Sequence, residues 1–409
     1  MSDTKNPMAA AATCRRWSVL LPTLATMTVM AASALAQTVE EPDPPMVTID
    51  HFISHTSTVP ANAGDKVKLF VREKVRSFGD ESDRPVVLMI YGAGVGAVPV
   101  FDLQFEDYSW MEHLANKGFD VFALDFTGYG LSPRPKMDDP CNTVQSEQLA
   151  HLIPNPLSQP CSPSYPFTLT SVRSDWDEID TVLNYIIKRR KVDRVNLVAW
   201  SRGAVRAGGY AARHPEKVGR MFLYAPTYFP TAPDDPADVP PSPGAAMSLV
   251  GSGGFLGPWD GTNPAMCVNQ FNPAVRGVVT STMLKFDPLG NTWGTAGVRR
   301  RPGFISVGGN TAFGWNTKFA NRVTSPTLII RGDNDDVVLA PAVTALFNDL
   351  GTGQKVFVRV ACASHYMVWE KQYMNLFRAS EEWLLHGTYA GQSNGSFAVD
   401  AAGQVRQEQ

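Results

Sequence analysis

From residue 67 onward two hydropathy patterns alternate along the chain. Short runs of apolar, often β-branched residues are followed by stretches in which apolar side chains recur every three to four positions. The first pattern suits strands buried on both faces and the second suits helices that cover them, so the alternation predicts a mostly parallel sheet flanked by helices. Residues 47–53 and 66–75 read as an opening, antiparallel pair of strands. Residues 84–91 (RPVVLMIY) form a continuous apolar run that ends at Gly92-Ala93-Gly94, the mark of a buried strand. A helix is expected over 106–117, stopped by Gly118, and then a strand over 119–126 (FDVFALDF). Residues 175–191 place Trp176, Ile179, Val182, Leu183 and Ile186 at helical spacing. A strand at 194–200 (RVNLVAW), a helix at 202–214 and a strand at 220–225 (RMFLYA) continue the series.

The alternation breaks twice. Residues 132–170 are polar and contain eight prolines, which predicts an ordered excursion. Residues 226–323 are rich in Gly, Pro and aromatic side chains, with prolines clustered over 230–243. Regular spacing resumes with a strand at 326–331 (PTLIIR), a helix at 341–350, a strand at 355–360 and a helix at 368–385. The Gly/Ser/Gln-rich residues 387–409 read as a flexible tail. The expected organisation is one α/β domain, residues 37–225 and 324–386, interrupted by an insertion at 226–323.

Residues 1–36 stand apart. Arg15 and Arg16 precede an apolar run that begins at Trp17, and Ala34-Leu35-Ala36 is a small-x-small cleavage pattern, together the grammar of a secretory signal peptide. No later stretch is long and apolar enough for a bilayer span. The protein is therefore expected to be exported, to a periplasm or beyond the cell. Export makes the cysteines informative, because without Cys14 four remain, in a compartment that permits disulfides. Cys141 and Cys161 bracket the Pro-rich excursion and suggest a local bridge. Cys267 and Cys362 are the leftover pair, and four buried free thiols are the alternative.

The overall composition removes several function classes. The 409 residues are 44% hydrophobic and 18% charged, which excludes disordered and collagen-like chains. The 36 Lys and Arg are outnumbered by 39 Asp and Glu, so there is no electrostatic footprint for nucleic acid. His51 and His55 have the spacing of metal ligands, but no Glu or Cys ligand stands near them, and no metal or cofactor is expected.

The strongest local signal is Ala199-Trp200-Ser201-Arg202-Gly203, between an expected strand and an expected helix. Small residues two positions either side of the serine relieve crowding at a strained turn, so Oγ projects above the sheet edge as a nucleophile. The helix start directs N–H groups and partial positive charge at the reacting centre. At this point the chain resembles the α/β-hydrolase family over nearly all of residues 84–385. That resemblance implies an α/β-hydrolase fold and the chain order Ser, acid, His. Arg331-Gly332-Asp333-Asn334-Asp335-Asp336 resembles the family's acid loop, whose Gly-x-x-Asp spacing selects Asp335, with Asp333 and Asp336 as alternatives. His365, in Ala363-Ser364-His365-Tyr366, stands where the family keeps its base.

The resemblance also implies an oxyanion hole made by the Arg202 N–H and by Ala93, with Gly94 second. Asp125-Phe126-Thr127-Gly128-Tyr129-Gly130-Leu131-Ser132 is similar to the family's D-x-x-G-x-G-x-S turn, a structural motif. Relatives on this fold that open halogenated or epoxide carbons use Asp at the elbow, so Ser201 favours attack on a carbonyl through an acyl-enzyme.

The insertion falls at the family's cap position and carries Phe255, Trp259, Phe271, Phe286, Trp293, Phe313, Trp315 and Phe319, which read more readily as the cap's own core than as a pocket. Trp200, Tyr91, Trp259 and Trp315 are the candidate pocket residues. Arg299-Arg300-Arg301 reads as a solvated loop, with recognition of a substrate carboxylate as the sharper alternative. The expected activity is hydrolysis of a carboxylic ester, lactone or thioester of a small apolar molecule. The same triad serves amide or carbon–carbon bond hydrolysis or perhydrolysis, and a binding protein on an inactive scaffold is the third reading.

Overall fold

The computed structural model describes residues 45–76, 84–251, 254, 256–257, 259, 267, 270 and 272–408. The expected signal segment, together with Phe255 and Phe271 of the insertion, lies outside these residues. Among the described residues no helix is long and apolar enough to cross a membrane.

The strands are β1 (Met46–Thr56), β2 (Lys66–Arg76), β3 (Val86–Ile90), β4 (Asp120–Leu124), β5 (Val195–Trp200), β6 (Val218–Tyr224), β7 (Met247–Gly251), β8 (Val298–Pro302), β9 (Thr327–Gly332), β10 (Lys355–Val360), β11 (Gly395–Val399) and β12 (Val405–Glu408). Ten of them form one sheet in the order β1-β2-β4-β3-β5-β6-β9-β10-β11-β12, and β7 with β8 form a separate antiparallel ribbon. From β4 to β11 all neighbours run parallel, as the continuous apolar runs predict. β1 and β2 pair antiparallel, and so do β2 and β4. Every residue of β3 and β4 is buried, because helices cover both faces.

The principal helices are α1 (Ala97–Phe101), α2 (Trp110–Ala115), α3 (Val172–Arg190), α4 (Gly203–Ala211), α5 (Pro273–Lys285), α6 (Thr317–Ala320), α7 (Ala340–Asp349) and α8 (Tyr373–His386). α3 buries Trp176, Ile179, Val182, Leu183 and Ile186, the stripe read from the sequence. Ser171 and Ser174 cap its first turn reciprocally. The helix expected over 106–117 is shorter, because Ser109 caps it and accepts a hydrogen bond from the Glu112 N–H. α1 was not apparent in the sequence.

From β3 the chain goes out to β4 and then returns to the other side of β3 to lay down β5. The order of the sheet reverses there, and in open α/β sheets the crevice at such a point, beyond the carboxyl ends of the strands, is where ligands bind. The insertion and the 132–170 excursion meet above this edge, where the Leu169 and Thr170 N–H groups both donate to the Gly303 carbonyl. Cys141 is bonded to Cys161 within the excursion, and Cys267 of the insertion to Cys362, three residues before His365.

The expected flexible tail is corrected. β11 extends the parallel sheet beyond β10, and β12 folds back on it through register pairs such as Phe397 with Gln407. Phe397 and Val399 are buried. The tail's Gly, Ser and Gln content hid a strand whose order comes from the free edge of β10 rather than from its own hydrophobicity. Phe397→Ala should therefore lower stability by about 3 kcal/mol, as truncation of a buried aromatic does, read as a fall in urea midpoint at unchanged slope. A negligible change would mean that the hairpin adds nothing to the fold.

Candidate active site

Ser201 sits directly after β5 and before α4, with φ at +56°. That left-handed backbone is uncommon for a residue with a Cβ and is held here by close packing. A Cβ on Gly203 would lie 2.3 Å from the Ile90 carbonyl oxygen, and one on Gly92 would lie 2.8 Å from the Ser201 Cβ. The small residues around the serine thus let α4 and the loop after β3 press against the turn. The Ser201 N–H donates to the Tyr224 carbonyl and its own carbonyl accepts from the Thr227 N–H, so the end of β6 and the loop after it brace the turn.

Asp335 and His365 come from the ends of β9 and β10. His365 Nε2 lies 2.9 Å from Ser201 Oγ, and its Nδ1 lies 3.0 Å from Asp335 Oδ2. Asp335 Oδ1 accepts from the Val337 and Val338 N–H groups, so the carboxylate is held on both oxygens. All three side chains are buried. The acid and base loops are laced together, because the Asp333 N–H donates to Val360 and the Asn334 N–H to Ala363. Of the alternatives for the acid, Asp333 faces Arg359 at 3.8 Å and is exposed, and Asp336 is exposed as well. The His365 carbonyl accepts from the Trp200 indole at 3.0 Å and from the Tyr224 hydroxyl at 2.6 Å, which anchors the histidine.

The expected oxyanion residues divide. Gly94 directs its N–H to the Tyr129 hydroxyl at 3.3 Å. Among the described residues the Ala93 and Arg202 N–H groups are taken up by no hydrogen bond. The Arg202 side chain turns away, donating to Thr311 Oγ1 and O while its guanidinium lies 3.9 Å from the centre of the Phe304 ring. Arg202 therefore offers the site its backbone alone.

A cavity of about 270 Å³ opens above Ser201. It is lined by Ala93, Gly94, Val95, Trp200, Ser201, Val337, His365, Tyr366 and Trp369 of the core, and by Val250, Gly254, Met283, Arg299 and Arg301 of the insertion. Of the four candidate pocket residues only Trp200 lines it. Tyr91 is buried beneath the loop, accepting from the Phe126 N–H at 2.9 Å and packed edge-on to Tyr129. Trp315 lies behind α4, where a Cβ on Gly208 would come within 2.4 Å of its ring. Trp259 is wholly buried behind Tyr366 and Trp369, with its indole donating to Glu370 Oε1. These large rings were drawn into cores, where their apolar area is most fully removed from water.

Arg299 and Arg301, which the sequence left between a solvated loop and recognition of a substrate carboxylate, both line the cavity. They lie on β8 rather than in a solvated loop, and strand alternation turns both to the cavity while Arg300 points away to Asp287 and Asp138. The spaced histidines remain apart from the site. His51 meets Glu73 at 2.6 Å, and His55 meets the Thr181 hydroxyl at 2.8 Å. The Asp125 turn is structural, as expected. The Asp125 carboxylate accepts from the Ala97 and Leu131 N–H groups, and a Cβ on Gly130, whose φ is +51°, would overlap it at 1.6 Å.

Comparison with known proteins bears on this architecture. The family model described as "alpha/beta hydrolase fold" matches residues 85–250. A curated relative, the probable lysophospholipase BODYGUARD 4 of Arabidopsis thaliana, is 26% identical over 121 residues, which is 30% of this chain and 21% of that protein. The match thus spans about a fifth of that relative's length. Among solved structures, a serine hydrolase involved in carbazole degradation is 14% identical, with 83% of this chain and 99% of that one covered at a TM-score of 0.48. A thermophilic esterase from Thermogutta terrifontis is 15% identical, with 81% and 97% covered at a TM-score of 0.46.

A buried carboxyl beneath the site makes stability depend on pH. Glu178 of α3 accepts from the Thr127 N–H at 3.0 Å, and burial, with the nearby Asp175 charge second, raises its pKa to about 8. The unfolded chain releases this proton at ordinary carboxylate pH while the folded protein still holds it. The Glu178 contribution to stability therefore falls as pH rises from about 4.5 to about 8 and then levels off. Glu178→Gln should remove this slope, so that thermal melts show the variant gaining on wild type steadily between pH 5 and pH 8. A difference that stays constant or shrinks with rising pH would refute the assignment.

Proposed function

The chain has the α/β-hydrolase fold, and we propose that on it Ser201, His365 and Asp335 make an exported serine hydrolase that cleaves a carboxylic ester, or a lactone or thioester, of a small and largely apolar substrate. One observation carries the reading: the unbroken line of contacts from Ser201 Oγ to His365 Nε2 and from His365 Nδ1 to Asp335, at 2.9 and 3.0 Å, on the floor of a cavity.

Ser201 Oγ attacks the carbonyl carbon as its proton passes to His365 Nε2, and Asp335 stabilises the imidazolium and fixes its orientation. The carbonyl oxygen becomes an oxyanion and is met by the Ala93 and Arg202 N–H groups. Collapse of this intermediate expels the alcohol or thiol, which takes the proton from His365 and leaves an acyl-Ser201. Water then repeats the sequence, with His365 as its base, and the acid departs while Ser201 regains its proton. The cavity volume suits a small acyl or alcohol group, and Val95, Val250, Met283 and Val337 supply apolar wall. Export is supported by the signal-like segment and by two disulfides, which are rare in reducing compartments.

Hydrolysis of p-nitrophenyl esters of graded acyl length tests the reading, with wild type and Ser201→Ala compared side by side. Ser201→Ala should abolish turnover, and Asp335→Asn should lower kcat by about 10⁴-fold because the histidine loses its correct tautomer. Asp333→Asn should leave the rate near wild type. Turnover retained by Ser201→Ala would sink the proposal, and a large loss in Asp333→Asn alone would move the acid.

A further inference from the structure

The cavity carries a charge that ester hydrolysis does not require. Among its described lining residues two are cationic, Arg299 and Arg301, and none is a carboxylate. Asp335 stands behind the His365 ring, with its oxygens engaged by His365, Val337 and Val338. Asp287, whose charge acts on Arg299, is engaged by Arg300 through Nε, Nη2 and the backbone N–H, and faces Arg134.

The two guanidiniums converge on one spot. A Cβ on Gly94 would lie 3.1 Å from Arg301 Cδ, 3.7 Å from Arg301 Nη1 and 3.9 Å from Arg299 Nη2. Both cations thus stand over the loop that carries Ala93, beside the reacting serine. Among the described residues Arg301 makes no ion pair or hydrogen bond, and its Nε is out of reach of solvent. Arg299 touches the Met283 sulfur at 3.3 Å. Burial, and then the neighbouring Arg301 charge, push the Arg299 guanidinium down to about 10, which still leaves it protonated at neutral pH.

The strand that presents them is fixed in place. Arg300 is buried in contact with Asp287, with Asp138 and with the Met137 carbonyl. Pro302 packs where a Cβ on Gly128 would come within 2.7 Å, and Gly303 lies so close to the Ala245 carbonyl that a Cβ there would meet it at 2.3 Å. Two like charges held together at the edge of a partly apolar cavity repel each other, and an anion between them relieves that cost. A carboxylate matches the guanidinium fork and fits within the small volume.

We infer that Arg301 and Arg299 form an anion subsite beside Ser201, and that the substrate is a small ester bearing a free carboxylate, such as a half-ester of a dicarboxylic acid. This rests on the serine-hydrolase reading above for the reaction, but not for the binding. Two esters of matched size separate the cases: mono-p-nitrophenyl succinate, which is anionic, and p-nitrophenyl butyrate, which is neutral. The anionic-to-neutral ratio of kcat/KM should favour the succinate in wild type. The ratio should fall by about 10- to 100-fold in Arg301→Gln, the range expected on losing a hydrogen bond to a charged group. Arg301→Lys should recover part of the ratio by restoring charge without the fork.

Calorimetry on the Ser201→Ala protein gives a readout without turnover. Monomethyl succinate should bind more tightly than methyl butyrate, and the additional Arg301→Gln substitution should remove the difference. Ester turnover that depends on Ser201, with a ratio unmoved by Arg301→Gln, would overturn the subsite and leave the hydrolase reading standing. Anion binding that depends on Arg301, with no turnover of either ester, would uphold the subsite and count against that reading. Equal binding of the two methyl esters would overturn the subsite whatever the kinetics.

Discussion

A single buried guanidinium joins the two halves of the proposed active site. Arg206, on the helix that follows Ser201, donates through Nε to Asp175 at 2.7 Å and through Nη1 to the carbonyls of Tyr91 and Gly92 at 3.0 and 3.3 Å. Its Cζ lies 4.2 Å from the centre of the Phe126 ring. Because the peptide between Gly92 and Ala93 is a planar trans unit, drawing the Gly92 carbonyl toward Arg206 turns the Ala93 N–H the opposite way. Ala93 lines the cavity. The charge that holds the helix therefore also sets the direction of a donor to the proposed oxyanion hole. An isolated charge at this depth would be costly, and Asp175 with the two carbonyls supplies the compensation. The raised pKa of Glu178 follows from the same arrangement, since burial and the ionised Asp175 one turn earlier both oppose a second charge there.

The insertion uses a different economy of parts. In β8 three successive arginines meet two environments, because neighbours on a strand face opposite sides. Arg300 enters an acidic, buried setting and anchors the strand. Arg299 and Arg301 are thereby placed over Gly94 with little freedom to withdraw. The glycines at 94 and 128 matter to this fit, since each leaves room for a β8 side chain that a larger residue would displace. The cap is thus built to the contour of the core loops, and its contribution to the cavity is charge and aliphatic surface.

The candidate triad was more legible in the sequence than its surroundings. Ser201, Asp335 and His365 each follow an apolar run within a few residues, and that run announces a strand whose end lies close to them. The parallel sheet was legible for the same reason, as strands buried on both faces leave a strong signal. Pocket walls leave none, because burial in a core and burial against a cavity select the same residues. Tyr91, Trp259 and Trp315 were candidates by type and are core by position. In β8 the alternation was hidden because it lies in the partners of the three arginines, while their hydropathy is uniform. The closing hairpin was hidden because its strands derive their order from the edge of β10, to which β11 adds in parallel register.

The division between core and cap bears on how the selectivity of the proposed site can change without loss of its reaction chemistry. Each triad member hangs from a separate strand, and the loops that carry them are linked by backbone hydrogen bonds such as Asn334 to Ala363. A substitution there displaces several groups at once. β8 shares none of those bonds. It reaches the site through packing on Gly94 and Gly128 and through one anchoring cluster at Arg300, so residues 299 and 301 can vary while Ser201, His365 and Asp335 keep their distances. The charge of the cavity is in that sense separable from its proposed reactivity, and the arginines at both cavity-facing positions of one strand mark where this chain has set it.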